Sequence, residues 1–136
     1  MIVVDTNVLA YLLLPGPFTR AAEQLYEIDP DWCVPLLWRS EFRSVLAGFL
    51  RRSSVDLPTA TRIAERAAGV VRGREYVVGS AEVLEAISSS TCSAYDCEFV
   101  VLARELGFSL ITTDSRILRE FPGVARSLRA VVAEGA

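Results

Sequence analysis

The sequence predicts an α/β fold in which a parallel sheet carries helices on both faces. Two apolar runs, one starting at Ile2 and one at residues 108–112, lack apolar/polar alternation, which is typical of strands covered on both faces. Helical stretches separate such runs, and strands that alternate with helices form parallel sheets with right-handed crossovers. At 136 residues, without repeat or linker, the chain is expected to form one domain over residues 1–136.

The first half of the chain shows this alternation. After the first strand, a short helix at 8–14 has Asp5, Thr6 or Asn7 as a possible N-cap and ends at a Pro-Gly-Pro turn. The next elements are a helix at 18–28, a strand at 32–35 and a helix at 36–52. The last of these is apolar on nearly every face, which predicts burial by the domain and by a second subunit.

The second half continues in the same way. Asp56 and Pro58 open a helix at 56–72 that Gly73 closes, and Gly107 follows a well-patterned helix at 93–106. The remaining predicted elements are strands at 76–78, 108–112 and 127–132 and helices at 80–88 and 115–120.

Composition limits the chemistry that is possible. The chain has no histidine, and all 14 of its basic residues are arginine. Catalytic triads, histidine-bearing zinc sites, Schiff-base lysines and the P-loop lysine are therefore excluded. An enzyme built from this sequence must rely on carboxylates, hydroxyls, thiols, arginine and whatever metal the carboxylates hold.

Cysteine content and hydropathy indicate the compartment. Cys33, Cys92 and Cys97 are an odd number without a Cys-x-x-Cys pair, so we expect free, buried thiols rather than disulfides or zinc ligands. No stretch approaches the ~20 apolar residues of a membrane span, and Met1 leads directly into a strand, so we expect a cytoplasmic protein without membrane contact.

Four acidic residues stand out by their predicted positions. Asp5 and Asp114 follow strands directly, Asp96 lies in the first turn of a helix, and Glu41 lies on an apolar helix face. Taken singly, each has a structural explanation: Asp5 and Asp114 as caps, Ser93-x-x-Asp96 as a capping box, and Glu41 in a salt bridge to arginine.

Taken together, the four acids could meet at one edge of the sheet, where ligands bind in open α/β folds. Their mutual repulsion would raise their pKa values unless a cation neutralised it. Oxygen-only ligands select a hard ion such as Mg²⁺ or Mn²⁺, which activates water for attack on a phosphodiester without histidine. Neutralising four negative charges changes the net charge of −3 to +1, so a polyanionic partner is not disfavoured.

The motifs around these acids resemble those of PIN-domain ribonucleases, and the chain is most similar to the small VapC-type toxins of toxin–antitoxin pairs. The matching motifs are Val-Val-Asp-Thr-Asn-Val-Leu at 3–9, Ser-Glu-Phe at 40–42, Ser-Ala-Tyr-Asp at 93–96 and Leu-Ile-Thr-Thr-Asp at 110–114. Their order and spacing fit over essentially the whole chain.

This resemblance implies a three-layer α/β/α sandwich around a parallel sheet. It also implies an RNA-hydrolysing centre in which Mg²⁺ or Mn²⁺ is held by Asp5, Glu41, Asp96 and Asp114. Members are commonly homodimers, and toxin members are inhibited by a cognate antitoxin that inserts a segment near the active site. The positions that would orient water or ligands are Asn7, Ser93 and Thr113.

The substrate-binding residues do not follow from the motifs. Arg52 lies on the Glu41 side of its helix, about 16 Å along, and suits a phosphate contact, while Arg116 and Arg119 after Asp114 are alternatives. Two other functions remain open: a non-catalytic interaction module using the helix at 36–50, and RNA processing without an antitoxin. A phosphatase with Asp5 as nucleophile is disfavoured, because Asn7 replaces the second acid and lysine is absent.

Overall fold

A five-stranded sheet lies at the centre of the computed structural model, which describes residues 1–135. All of its strand pairs are parallel, and β1 is central in the strand order β3-β2-β1-β4-β5. The strands are β1 (Ile2–Val4), β2 (Trp32–Pro35), β3 (Glu75–Tyr76), β4 (Leu110–Thr112) and β5 (Ala125–Ser127). The predicted α/β fold with a parallel sheet is confirmed.

Helices connect the strands and cover the sheet. They are α1 (Thr6–Leu13), α2 (Thr19–Ile28), α3 (Trp38–Arg51), α4 (Leu57–Val70), α5 (Ser80–Ser88), α6 (Ala94–Leu106), α7 (Ser115–Glu120) and α8 (Leu128–Gly135). Residues 80–88 and 115–120 form helices with the expected bounds, and the other predicted helices differ by one or two residues at their ends. Gly107 ends α6 in the left-handed conformation, at φ 74°.

Two cores lie on opposite faces of the sheet, because successive side chains of a strand point to opposite sides. Val4, Trp32 and Ile111 pack in one core with α1–α4 and Leu128 of α8. Val3 and Leu110 pack in the other core with α5–α7. The molecule therefore has the three layers of an α/β/α sandwich.

The three cysteines and the helix lengths bear on two further expectations. Cys33, Cys92 and Cys97 are free and buried, as expected. None of the helices in the described part of the chain is long and apolar enough to cross a membrane.

The strand predicted at 127–132 is wrong. The strand ends at Ser127, whose hydroxyl accepts a hydrogen bond from the Ala130 amide at 3.1 Å and so begins a helix. The Val-Val pair at 131–132 suggested a strand, but both side chains pack as helical residues against the core that holds α2. Residues 128–135 are helical because this conformation buries one face of the segment, which outweighs the preference of valine for strands.

Candidate active site

A cavity of about 390 Å³ opens at the carboxyl edge of the sheet. Asp5 follows β1, Asp114 follows β4, Asp96 lies in the first turn of α6 and Glu41 in the first turn of α3. All four of these acids line the cavity. The fold thus brings together residues that are widely separated along the chain.

Asp5 is the most buried of the four acids, with 9% of its surface exposed. Its side chain caps α1 by accepting a hydrogen bond from the Val8 amide at 3.0 Å, and it accepts a second from the Thr112 hydroxyl. Burial raises the pKa of Asp5 from 3.8 to about 6, despite these two hydrogen bonds and with a further contribution from the charges of Asp114 and Asp96. A cation beside Asp5 would oppose both effects.

Glu41 is half-buried on α3 and shares the cavity with Ser44 and Val45. Its carboxylate accepts a hydrogen bond from the Thr6 hydroxyl at 2.7 Å. Burial, and then the charge of Asp96, raise its pKa. Within residues 1–135 Glu41 has no salt bridge, so the arginine partner considered from the sequence is not found.

Trp38 does not share the surroundings of Glu41, although residues three apart on a helix are neighbours on its surface. Its indole donates a hydrogen bond from Nε1 to Glu75, and its side chain lines a separate cavity between α3 and α4. Arg39 and Arg43 line that same separate cavity, and Arg39 forms an ion pair with Glu75. These two arginines do not line the cavity that holds the four acids.

Asp96 and Asp114 begin their helices differently. The Asp96 amide donates to Ser93 Oγ at 3.1 Å. Burial, and then the charge of Asp114, raise the pKa of the Asp96 carboxyl, which hydrogen bonding to Ser93 and then the charge of Arg116 partly offset. Asp114 caps α7 by accepting from the Ile117 amide at 2.9 Å. Ser93 and Asp114 are therefore helix caps, as predicted from the sequence. Asp96 and Asp114 also line the cavity.

The donor set of the cavity fits a hard divalent ion, because it consists of carboxylate oxygens that burial and mutual repulsion make costly to ionise. Across residues 1–135, however, no three acidic or cysteine side chains form a ready-made ligand group. Hydrogen bonds to Thr112, Thr6 and Ile117 hold three of the carboxylates in their present positions. Binding of an ion therefore requires side-chain rotation within the cavity.

Only one of the three predicted orienting residues lines the cavity. Asn7 lines it, as an exposed residue in the first turn of α1. Ser93 is the N-cap of α6, so it acts on Asp96 through the backbone. Thr113 lies outside the cavity lining and shares a hydrogen bond of 3.1 Å with the Tyr11 hydroxyl.

Sequence reasoning missed Thr112 and Thr6, which hold two of the acids. Thr112 is fully buried, donates to Asp5 and accepts from the Asp114 amide at 3.0 Å. A hydroxyl in a fully buried strand needs a hydrogen-bond partner, and this requirement was the signal available in the sequence. The pairing of Val4 with Ile111 then brings Asp5 beside Thr112.

The three candidate arginines have different surroundings. Arg116 donates from Nη1 to the Thr91 carbonyl at 3.2 Å and lies near Asp96. The Arg52 guanidinium lies 4.9 Å from the ring centre of Phe49, on the helix that carries Glu41. Arg119 is exposed in the last turn of α7.

Comparison with known proteins gives both a family and a set of related folds. The PIN domain model matches residues 2–123. PAE2754 from Pyrobaculum aerophilum has a similar structure, with a TM-score of 0.77 and 18% identity over 98% of this chain and 95% of that one. No curated protein matches the sequence significantly.

Two further solved structures are similar. A toxin–antitoxin complex from Klebsiella pneumoniae has a TM-score of 0.70 and 17% identity over 94% of this chain and 98% of that one. FitAcB from Neisseria gonorrhoeae has a TM-score of 0.70 and 18% identity over 95% of this chain and 99% of that one. At these identities the structures establish a shared fold, and the family match extends over most of the sequence. The chain therefore belongs to the PIN domain family.

Proposed function

We propose that this protein is a cytoplasmic, metal-dependent endoribonuclease that hydrolyses RNA phosphodiesters. The observation that carries the proposal is the convergence of Asp5, Glu41, Asp96 and Asp114 on one cavity at the carboxyl edge of the sheet. PIN domains are generally nucleases, which supports the reaction class. Without histidine or lysine in the sequence, carboxylates are the groups best suited to this chemistry.

The four carboxylates would hold Mg²⁺ or Mn²⁺. When bound, such an ion supplies an activated water and stabilises the negative charge that develops on the phosphate. Asp5 and Asp114 are fixed by their caps, and Thr112 links them by donating to one and accepting from the backbone of the other. Glu41 and Asp96 are only half-buried, so their side chains can rotate toward an ion, Glu41 after losing its hydrogen bond from Thr6.

We further propose that the protein is the toxin of a type II toxin–antitoxin pair and acts as a homodimer. Support comes from the fold it shares with the toxin–antitoxin complex from Klebsiella pneumoniae. The first check is genetic: a small adjoining reading frame with a DNA-binding pattern should encode a polypeptide that binds this chain and suppresses cleavage. Absence of such a reading frame would favour a role in RNA processing.

A non-catalytic interaction module is the second candidate. In that case the acids would be retained only as caps, a role that Asp5 and Asp114 do fill. Glu41 caps no helix, and its burial beside other acids is costly, which favours the nuclease.

The test is cleavage of an end-labelled RNA with Mn²⁺, with Mg²⁺ and with a chelator. We expect cleavage by the wild type with either metal, and its loss in Asp5→Asn and Asp96→Asn. Glu105→Gln is the matched control, because Glu105 is an exposed acid on the same helix as Asp96. Cleavage that survives both active-site changes would exclude the proposal, and titration calorimetry without Mn²⁺ uptake would favour the interaction module.

A further inference from the structure

An apolar pocket of about 220 Å³ adjoins the carboxylate cavity. It lies between α1, the turn at 15–17 and α3. Its lining includes Ala10, Leu14 and Phe49, and no charged residue among those the structure describes. Tyr11 also lines it, with its hydroxyl bonded to Thr113 beside Asp114.

The two cavities share walls. Asn7 and Val45 line both the carboxylate cavity and the apolar pocket. A ligand whose phosphate is held at the carboxylates can therefore reach the apolar pocket with an adjoining group. The Asn7 amide, exposed at this junction, is a polar group that can donate and accept hydrogen bonds there.

A positive charge lies next to Phe49, one of the residues that line the pocket. The Arg52 guanidinium lies 4.9 Å from the ring centre of Phe49, is exposed, and has no salt bridge within residues 1–135. The surface thus presents a site for a metal and phosphate, an adjoining apolar recess, and a cation without a salt bridge next to a residue of that recess. Single-stranded RNA presents the complementary groups of phosphate, flat base and phosphate.

We infer that the apolar pocket holds the nucleobase next to the cleaved phosphodiester and that Arg52 contacts the following phosphate. This inference rests on the proposed ribonuclease function. Proteins bind unpaired bases by contact with aromatic side chains and bind the backbone by arginine, largely without regard to base identity. Tyr11 and Phe49 supply the aromatic contacts here. A polypeptide side chain could fill an apolar recess equally well, but the exposed cation of Arg52 beside Phe49 favours a ligand that carries a further phosphate.

The first experiment removes the base rather than the protein side chain. A short unstructured RNA is cleaved by the wild-type enzyme with Mn²⁺ and the cleaved bond is mapped. Two further RNAs then carry an abasic nucleotide on the 5′ or the 3′ side of that bond. We expect one of them to be cleaved about tenfold less efficiently, within the range for one stacked base.

The second experiment pairs these RNAs with a Phe49→Leu variant, which retains most of the side-chain volume and removes the ring. On intact RNA we expect Phe49→Leu to lower the cleavage efficiency about tenfold relative to the wild type. On the sensitive abasic RNA we expect little further decrease, because removing the base and removing the ring abolish the same contact. Tyr26→Leu is the matched control, since Tyr26 is a partly exposed aromatic on α2 that lines neither cavity.

Arg52 is tested against its neighbour Arg51, which is also exposed at the end of α3. Arg52→Ala should raise KM and flatten the dependence of cleavage on salt, whereas Arg51→Ala should do neither.

Several results would overturn the inference. Equal cleavage of the intact and both abasic RNAs by the wild type would exclude a bound base, and this result does not depend on any variant folding. Unchanged cleavage of intact RNA by Phe49→Leu would also exclude a bound base and would favour a polypeptide as the occupant of the pocket. Equal losses in the two arginine variants would remove Arg52 from the site. Failure of the nuclease proposal is separately visible, because the wild type would then cleave none of the RNAs.

Discussion

Replacing Asp5 by asparagine should stabilise the metal-free protein at neutral pH while abolishing cleavage. Burial raises the pKa of Asp5 from 3.8 to about 6, so its protonated form favours the folded state. The contribution of protonated Asp5 to the free energy of unfolding is complete below the pKa of the unfolded state, 3.8, and is lost as the pH rises through about 6. At neutral pH the wild type carries a buried charge that asparagine does not have.

The size of the effect follows from the pKa values. A change from 3.8 to about 6 corresponds to about 3 kcal/mol of lost folding free energy once Asp5 is ionised. Asparagine can still accept from the Val8 amide, but Thr112 can no longer donate to it in the same way, at a cost of about 1 kcal/mol. The net stabilisation is therefore about 2 kcal/mol at neutral pH, and below the unfolded pKa it becomes a destabilisation of about 1 kcal/mol.

Urea denaturation of the metal-free protein, at about pH 7.5 and about pH 4, measures both differences. Asp56→Asn is the matched control, because Asp56 also caps a helix but is exposed and has a lowered pKa, so its replacement should not stabilise. Mn²⁺ should stabilise the wild type by about 2.7 kcal/mol at a hundredfold excess over its Kd and stabilise Asp5→Asn much less. A variant that is equally destabilised at both pH values would refute the reasoning from burial.

Three further predictions concern the groups around this site and the C-terminal helix. Thr112→Val, which removes a buried donor to Asp5, should cost about 1–3 kcal/mol of unfolding free energy and shift the pH profile of cleavage upward, while Thr112→Ser should do neither. Glu120 accepts hydrogen bonds from the Thr91 amide at 2.8 Å and from the Thr91 hydroxyl at 2.5 Å, and so holds the loop before Asp96 in place. In titration calorimetry Glu120→Ala should therefore weaken Mn²⁺ binding, and Glu120→Gln should restore part of the affinity. Ser127→Ala removes the cap of α8 and should lower the unfolding free energy by about 1 kcal/mol in denaturant titration, and an unchanged midpoint would contradict the capping role.

Much of the fold was predictable because its signals are local. Asp5, Asp56 and Ser93 cap their helices through their own side chains, and Gly107 ends α6 with a positive φ that glycine adopts readily. The unalternated apolar runs of β1 and β4 reflect burial on both faces. Parallel topology also predicted that Asp5 and Asp114, which follow strands, lie at one edge of the sheet, whereas the assignment of all four acids to one centre came from the family resemblance.

The features that sequence reasoning missed depend on tertiary contacts. The Val-Val pair of α8 has strand preference, and only packing against the α2 side of the core makes it helical. Trp38 turns away from Glu41 because Glu75, on β3, provides the acceptor for its indole. The bond from Thr112 to Asp5 depends on strand register, which periodicity does not specify.

The position of β1 between β2 and β4 has a consequence for biosynthesis. The bond between Thr112 and Asp5 closes a loop of 107 residues, and contacts so distant in sequence form slowly. A ribosome-bound chain that has not yet released β4 holds Asp5 without its neighbour and lacks Asp114 altogether. On the function proposed above, a growing chain therefore cannot cleave RNA before Asp114 has been synthesised and β4 has paired with β1.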